Sequence, residues 1–272
     1  NCLFLKNDLI NFINNILIMI KQKLKKIINF LGYNINKVNK EIKNENLDKI
    51  MKRFAPPNPV IFDVGANVGQ SIDRFKKTFK NPTIHSFEPI DSEFKTIHNK
   101  FGKQENIILN NIALGEKQET KKINITAGTG NSSFNKINPG TKWLQTRSKQ
   151  YNTSENNYVT KIEDVKIETL DNYCKQNNID KIDILKIDTQ GYEDKVLQGS
   201  LETIKKNKIG IIITEIMFDD VYDKHFCFSD LEKYLIPYNF RMVGIDMANN
   251  NIFSGLVFCA DVMYFNKLLH KI

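Results

Sequence analysis

Two patterns of apolar and polar positions divide the chain. Between Leu9 and Leu31, apolar residues recur at Leu9, Phe12, Ile13, Ile16, Leu17, Ile20, Leu24, Ile27, Ile28 and Leu31. Gaps of three and four residues trace one face of a helix. The longest apolar run there, Ile16 to Ile20, is far short of the ~20 residues that span a bilayer. Lys21, Lys23, Lys25 and Lys26 make the other face basic. Such a helix suits packing on its own domain or in a homodimer, and equally weak contact with an anionic membrane surface. Residues 34–52 are rich in Asn and Lys with little periodicity, and Ala55-Pro56-Pro57-Asn58-Pro59 cannot continue a helix. The pattern predicts a helical extension over residues 1–55 and a separate domain over 56–272.

Within that domain, short apolar runs alternate with helical periodicity. Strands are predicted over Val60–Val64, Thr83–Phe87, and Ile107–Leu109 continuing towards Leu114, with helices over Gln70–Phe79 and Asp91–Phe101. Residues 115–160 change character. Gly128-Thr129-Gly130-Asn131-Ser132-Ser133, then Trp143 and a polar stretch to Asn157, read as an insertion of short strands and loops. Insertions of this kind often cover a site. Alternation resumes with strands over Ile182–Ile187 and Ile209–Ile213, separated by a helix over Glu193–Lys205. A helix over Asp230–Leu235 and strands over Phe240–Ile245 and Leu256–Phe265 complete the chain. This order implies right-handed crossovers and a mostly parallel α/β sheet with helices on both faces.

Composition narrows the class. Of 272 residues, 41% are hydrophobic and 26% charged, which excludes a polytopic membrane protein and a wholly disordered chain. The net charge of +8 can attract nucleic acid, anionic lipid or an acidic substrate, although Lys is used heavily along the whole chain. Cys2, Cys174, Cys227 and Cys259 are far apart, so neither a zinc knuckle nor a disulfide framework is suggested, and a reduced, cytoplasmic environment is expected. His85, His98, His225 and His270 have no ligand spacing, so no His-based metal site is expected. The chain opens on Asn1 rather than Met, so its natural start is expected upstream, and no leader-type cleavage site follows the apolar run.

The candidate chemistry sits at strand ends. Asp63-Val64-Gly65-Ala66-Asn67-Val68-Gly69 joins the first strand to the first helix. It lacks the Gly-Lys-Ser/Thr end of a Walker loop and the spacing of a dinucleotide fingerprint. What remains is an acid and a tight glycine turn, where glycine permits positive φ and close approach of a ligand. Glu88 ends the second strand, the place where a carboxylate accepts both ribose hydroxyls. Two acids and no phosphate cradle suit a nucleoside with a cationic tail, and S-adenosylmethionine is such a ligand. Asp188 ends the strand from Ile182, with Lys186 on the same face. Glu193 opens the next helix, and Glu215 is predicted to end the strand after it. Ligands of parallel sheets lie beyond these carboxyl ends.

These residues carry a resemblance. Asp63 to Gly69, Phe87-Glu88-Pro89, Asn111-Ile112-Ala113-Leu114, Glu168-Thr169-Leu170-Asp171, and Leu185-Lys186-Ile187-Asp188-Thr189-Gln190-Gly191-Tyr192-Glu193 resemble the FkbM-type methyltransferase family. So does Ala260-Asp261-Val262-Met263-Tyr264-Phe265. The matches run in order from about Val60 to Asn266. Thr189-Gln190 departs from the family's usual Val-Glu, which weakens any role for an acid at position 190. The resemblance implies a class I methyltransferase sheet of seven strands, with S-adenosylmethionine as donor and a hydroxyl of a sugar, glycan or small natural product as acceptor. Carried over, Asp63, Gly65, Ala66, Asn67 and Gly69 would line the methionine part, Glu88 with Pro89 the ribose, and Asn111 with Ala113 the adenine. Asp188 would stand beside the sulfonium as first candidate base, or as an orienting group, with Glu193 second and Glu215 and His225 behind. Two other classes stay open. One is a methyltransferase of RNA using the +8 charge, although no basic-aromatic stripe or flipped-base motif supports it. The other is a non-catalytic scaffold that binds S-adenosylmethionine, which the intact acidic strand ends argue against.

Overall fold

The computed structural model describes residues 20–24, 26, 46–224, 226–247 and 259–270. The chain divides into two compact units, Asn1–Asn44 and Glu45–Ile272. In the first, residues 20–24 and 26 are helical and exposed, and the rest of the expected N-terminal helix lies outside the described residues.

The second unit holds a seven-stranded sheet and a three-stranded one. The larger is built from β1 (Val60–Val64), β2 (Thr83–Phe87), β3 (Ile107–Asn110), β7 (Ile182–Ile187), β8 (Ile209–Met217), β9 (Phe240–Met247) and β10 (Cys259–Asn266). Their order is β3-β2-β1-β7-β8-β10-β9. All pairs are parallel except those of β10, which runs antiparallel to β8 and β9. Central strands are buried on both faces: all of Ile182–Ile187 is buried, the signature of a sheet covered by helices on each side. One face packs under α1 (Leu47–Phe54), α2 (Gln70–Thr78) and α3 (Asp91–Phe101) around Phe75, Ile97 and Phe101. The other packs under α5 (Leu170–Gln176) and the helices that follow it in the chain, through Leu170, Val196, Leu197, Ile204, Leu231 and Leu235. The expected class I architecture is therefore present.

Several expected bounds are corrected. Helix α1 belongs to the sheet-bearing unit, so the boundary precedes the expected one at residue 55. Asn46 caps it, its side chain accepting from the Lys49 amide at 3.1 Å, and Leu47, Ile50 and Met51 are buried. A Cβ on Gly244 of β9 would lie 2.7 Å from Leu47, so glycine admits the helix to the sheet. Its apolar stripe is too brief to stand out in an Asn- and Lys-rich background. The expected third strand ends at Asn110, and Ala113–Leu114 becomes β4 of the smaller sheet. There it pairs with β6 (Val159–Glu168), which also pairs with β5 (Glu119–Thr126). The insertion thus contains two long strands and a helix, α4 (Lys142–Gln150), whose mostly polar sequence hid it. Buried Trp143 and Tyr158 share a small core with Val221, Tyr222 and Cys259, which joins the insertion to the segment after β8 and to the start of β10.

The expected helix Glu193–Lys205 is two, α6 (Glu193–Gln198) and α7 (Leu201–Lys205), on either side of Gly199. A Cβ there would lie 1.9 Å from the Gly115 carbonyl oxygen, so a close backbone contact demands the break. Strand β8 runs on to Met217 because β10 pairs with it, and Glu215 lies inside the strand, opposite Asp261. Residues 256–258 of the expected last strand lie outside the described residues.

Met51→Ala, which empties a fully buried site, is expected to lower stability by about 2–5 kcal/mol in urea unfolding. A change below about 0.5 kcal/mol would place the helix outside the cooperative core.

Candidate active site

The site forms where β1, β2 and β7 end. After β1 the chain turns through Gly65, Asn67 and Gly69, with φ of 84°, 47° and 88°. The left-handed region favours glycine, and Gly65 has a second constraint: a Cβ would lie 1.9 Å from the Asp188 carbonyl oxygen. The glycine expected to admit a ligand thus first admits the neighbouring strand's turn. Gly69 caps α2, and its face is filled by Phe101, 2.6 Å from where a Cβ would stand.

Glu88 follows β2 and is 4% exposed. Its Oε2 accepts from the Asn67 amide and its Oε1 from the Ile90 amide, each at 2.8 Å. Burial nevertheless pushes its carboxyl up to about 7. The Asn111 side chain holds this turn, donating to the Glu88 and Pro89 carbonyls at 3.0 and 3.2 Å.

The third strand end concentrates charge. Asp63 is fully buried, and neither carboxylate oxygen has a hydrogen-bond partner. Its compensation is the Lys186 ammonium 3.4 Å away, which also lies 3.3 Å from Asp188 Oδ2. Burial favours loss of the Lys186 proton, yet the charges of Asp188 and Asp63 hold its pKa above the usual value. Burial raises that of Asp63. The Asp188 side chain is 39% exposed and accepts from Gln190 Nε2 at 2.9 Å, and the same nitrogen donates to Glu215 Oε2 at 2.8 Å. Burial, with the Asp188 charge second, pushes Glu215 up to about 8.

A cavity of about 360 Å³ opens over these turns, within the usual range for a small-molecule site. Of the residues expected to bind donor, Gly65, Ala66, Asn67, Glu88, Pro89 and Ala113 line it, and so does Asp188. Asp63, Gly69 and Asn111 are not among its lining residues; they support Lys186, α2 and the Glu88 turn. Glu193 does not reach it either. Its carboxylate is turned back into the preceding loop, accepting from the Thr189 amide and the Gly191 amide at 2.9 Å, and burial pushes it up to about 7. It lines a separate small cleft with Glu215 and Tyr222. His225 lies outside the described residues.

Other lining residues were missed. Thr129, Gly130, Ser132 and Phe134 come from the insertion. Their Gly-Thr-Ser composition marked a loop, but the cover it provides depends on long-range contacts. The Ser133 hydroxyl donates to the Gln190 carbonyl at 2.6 Å and the Asn135 side chain to the Gly191 carbonyl at 2.5 Å. These bonds pin the insertion to the turn after β7. Ile90, Leu114 and Ile123 give an apolar flank of the kind a purine face requires.

Comparison with known proteins places this geometry. The sequence model of the methyltransferase FkbM domain matches residues 63–242, well over half of the chain, from the end of β1 to the start of β9. The chain belongs to the FkbM methyltransferase family. It is 24% identical over 177 residues to the 2-O-methyltransferase NoeI of Sinorhizobium fredii (strain NBRC 101917 / NGR234), covering 64% of this chain and 70% of that protein. Among solved structures, magnesium protoporphyrin IX methyltransferase of Synechocystis PCC 6803, with bound S-adenosylmethionine, matches at a TM-score of 0.43 and 11% identity, over 90% of this chain and 96% of that one. A methyltransferase of Aquifex aeolicus that depends on the same donor matches at 0.41 and 11%, over 82% and 90%. As a member of this family the protein is a methyltransferase, and its methyl donor is S-adenosylmethionine. Among the described residues no helix is long and apolar enough to cross a membrane.

The Lys186 geometry yields a stability test. Lys186→Met would leave Asp63 buried without its counter-charge, and chemical denaturation is expected to show a loss of about 3–5 kcal/mol. Adding Asp63→Asn to that variant should recover part of the loss. A recovery of zero would mean that the two charges do not compensate one another.

Proposed function

We propose that the protein transfers the methyl group of S-adenosylmethionine to a hydroxyl oxygen of a sugar, a glycan or a small natural product, with Asp188 as the base. The observation that carries this reading is the placement of a half-exposed carboxylate beside the cavity mouth, between Lys186 and Gln190.

The cavity fits the donor. Each Glu88 oxygen bonds one backbone amide, so lone pairs remain for two ribose hydroxyls. Pro89, Ala113 and the apolar flank would receive the adenine, and Gly65, Ala66 and Asn67 the methionine part. The Asp188 carboxylate makes this end complementary to the donor's ammonium and sulfonium, with Asp63 beneath holding Lys186. Bound there, the donor supplies an electrophilic methyl group on sulfur.

The chain's own residues then have two tasks. The cavity walls align donor and acceptor, and an aligned pair avoids a bimolecular entropy cost of ~7–11 kcal/mol. An alcohol is a weak nucleophile, so Asp188 takes its proton as the new bond forms, a contribution of ~10²–10⁴-fold. Glu193, engaged by backbone amides, holds the turn on which Asp188 stands. The name of the Sinorhizobium relative, a 2-O-methyltransferase, supports oxygen as the target. The half-exposed Asp188 carboxylate at the cavity mouth disfavours a phosphate-rich RNA acceptor.

The decisive experiment is incubation of the protein with labelled S-adenosylmethionine and a panel of methyl glycosides, natural-product alcohols and RNA, followed by mass spectrometry of the products. Label on a carbohydrate or alcohol oxygen is expected; label only on RNA would reverse the reading.

Asp188→Asn should lower turnover about 10²-fold or more while calorimetric donor affinity changes by less than about threefold. Full turnover would remove Asp188 as the base. Donor binding should also depend on pH. Glu88, held at about 7 by burial, is protonated in the free protein below that pH, and the ribose hydroxyls need it ionised. Affinity should therefore plateau above pH 7 and fall about tenfold by about pH 6. Glu88→Ala should bind more weakly and lose this dependence. An unchanged affinity from pH 6 to 8 in the parent protein would dissociate Glu88 from the ribose.

A further inference from the structure

Gln190 touches both sides of the acid-lined corner, and neither donor binding nor proton removal gives it a task. It is 9% exposed, and its backbone is held at φ 56°, a left-handed conformation that a non-glycine residue keeps only under constraint. The constraint comes from two directions. Ser133 donates to its carbonyl at 2.6 Å, and the Glu193 carboxylate accepts from the amides of Thr189 and Gly191 on either side.

The side chain so placed is fully committed. An amide nitrogen carries two hydrogens; one goes to Asp188 Oδ1 at 2.9 Å and the other to Glu215 Oε2 at 2.8 Å. Its Oε1 lies 3.2 Å from the Tyr222 hydroxyl, whose one hydrogen is shared between it and the Asn131 carbonyl at 3.0 Å. The two carboxyl oxygens on one side fix which end is nitrogen. An ionised glutamate of the same size offers no hydrogen to either acid, and leucine offers none at all.

Asp188 depends on this arrangement. Lys186 holds Oδ2 at 3.3 Å and Gln190 holds Oδ1 at 2.9 Å. The outer torsion of an aspartate is otherwise broad, so donors on both oxygens set the plane of the carboxylate and the direction of its free lone pairs. Lys186 alone would leave the plane free to turn about one contact. On the far side the amide gives Glu215 a neutral partner where the neighbouring charges are Asp188, Glu193 and Asp261.

We propose that Gln190 is a positioning residue for methyl transfer, its amide clamped between Asp188 and Glu215 so that the Asp188 carboxylate keeps the orientation in which it meets the acceptor hydroxyl. This rests on the reading of Asp188 as the base.

The test compares the parent protein with Gln190→Leu and Gln190→Glu in three measurements. Calorimetry with S-adenosylmethionine should give affinities within about threefold of the parent. Turnover of labelled donor with methyl glycosides of neutral hexoses should fall on the order of 10–100-fold in both variants. In Gln190→Glu the acidic limb of the rate profile should also move to higher pH, because three carboxyls then share the corner. Thermal unfolding needs no acceptor. The introduced carboxyl has a raised pKa in the folded state, so its cost appears as pH rises above the unfolded value; the melting difference between Gln190→Glu and the parent should widen from about pH 5 to about pH 8. A melting difference that stays flat overturns the clamp whatever the acceptor. Unchanged turnover in both variants, or a fall matched by lost donor affinity, overturns the positioning role. A parent protein that binds donor yet methylates none of the glycosides overturns the reading of a sugar acceptor instead, while the melting difference still tests the clamp, so the two failures are told apart.

Discussion

One ammonium group makes the acidic corner tolerable. Lys186 is buried between Asp63 and Asp188, within 3.4 and 3.3 Å of their carboxylates. Without it Asp63 would be a fully desolvated charge with no hydrogen-bond partner, an arrangement costing several kcal/mol. The ends of β1 and β7 could then not approach as they do, with Gly65 close enough to Asp188 that no side chain fits between. That approach sets the floor of the cavity. Placing the cation on the same strand as Asp188, with Thr189 and Gln190 following directly, lets one short segment supply both compensation and chemistry.

The turn after β7 is over-determined in a way that joins the two sheets. Glu193 accepts from its amides, Ser133 and Asn135 of the insertion bond its carbonyls, and Gln190 links it to β8 through Glu215. Each is a local bond of modest worth, but together they hold a strained backbone and close the insertion over the donor cavity. The carboxylates differ accordingly. Glu193 is spent on the backbone, Glu215 on the amide of Gln190, and Asp188 keeps an exposed edge towards the cavity. Glu88, at the other end, combines burial with two backbone amides and so retains capacity for a diol.

Much of this was legible in the chain. The first strands and helices fall where the apolar pattern put them, because each is short, self-contained and ended by Gly or Pro. The acids at positions 63, 88 and 188 were found from their place at strand ends. What failed was anything set by a partner far away in sequence. Helix α1 hid because its four apolar residues gain meaning only against Gly244. The break at Gly199 follows from the Gly115 carbonyl, and the true length of β8 from antiparallel pairing with β10. The second sheet was read only as an insertion of short strands and loops because β5 and β6 carry many charged residues on an exposed face.

The sequence by itself determined the class of fold, the family and the set of acids, since alternation, strand-end position and motif order are one-dimensional properties. Only the tertiary structure separated those acids by role. Asp63, Gly69 and Asn111, expected as donor contacts, and Glu193, expected as second candidate base, do not line the cavity, while Thr129, Gly130 and Gln190 reach the cavity or its corner from places the motifs did not rank. Whether a carboxylate faces a ligand, a backbone amide or another side chain depends on burial and on the hydrogen bonds around it, and these exist only once distant segments pack together.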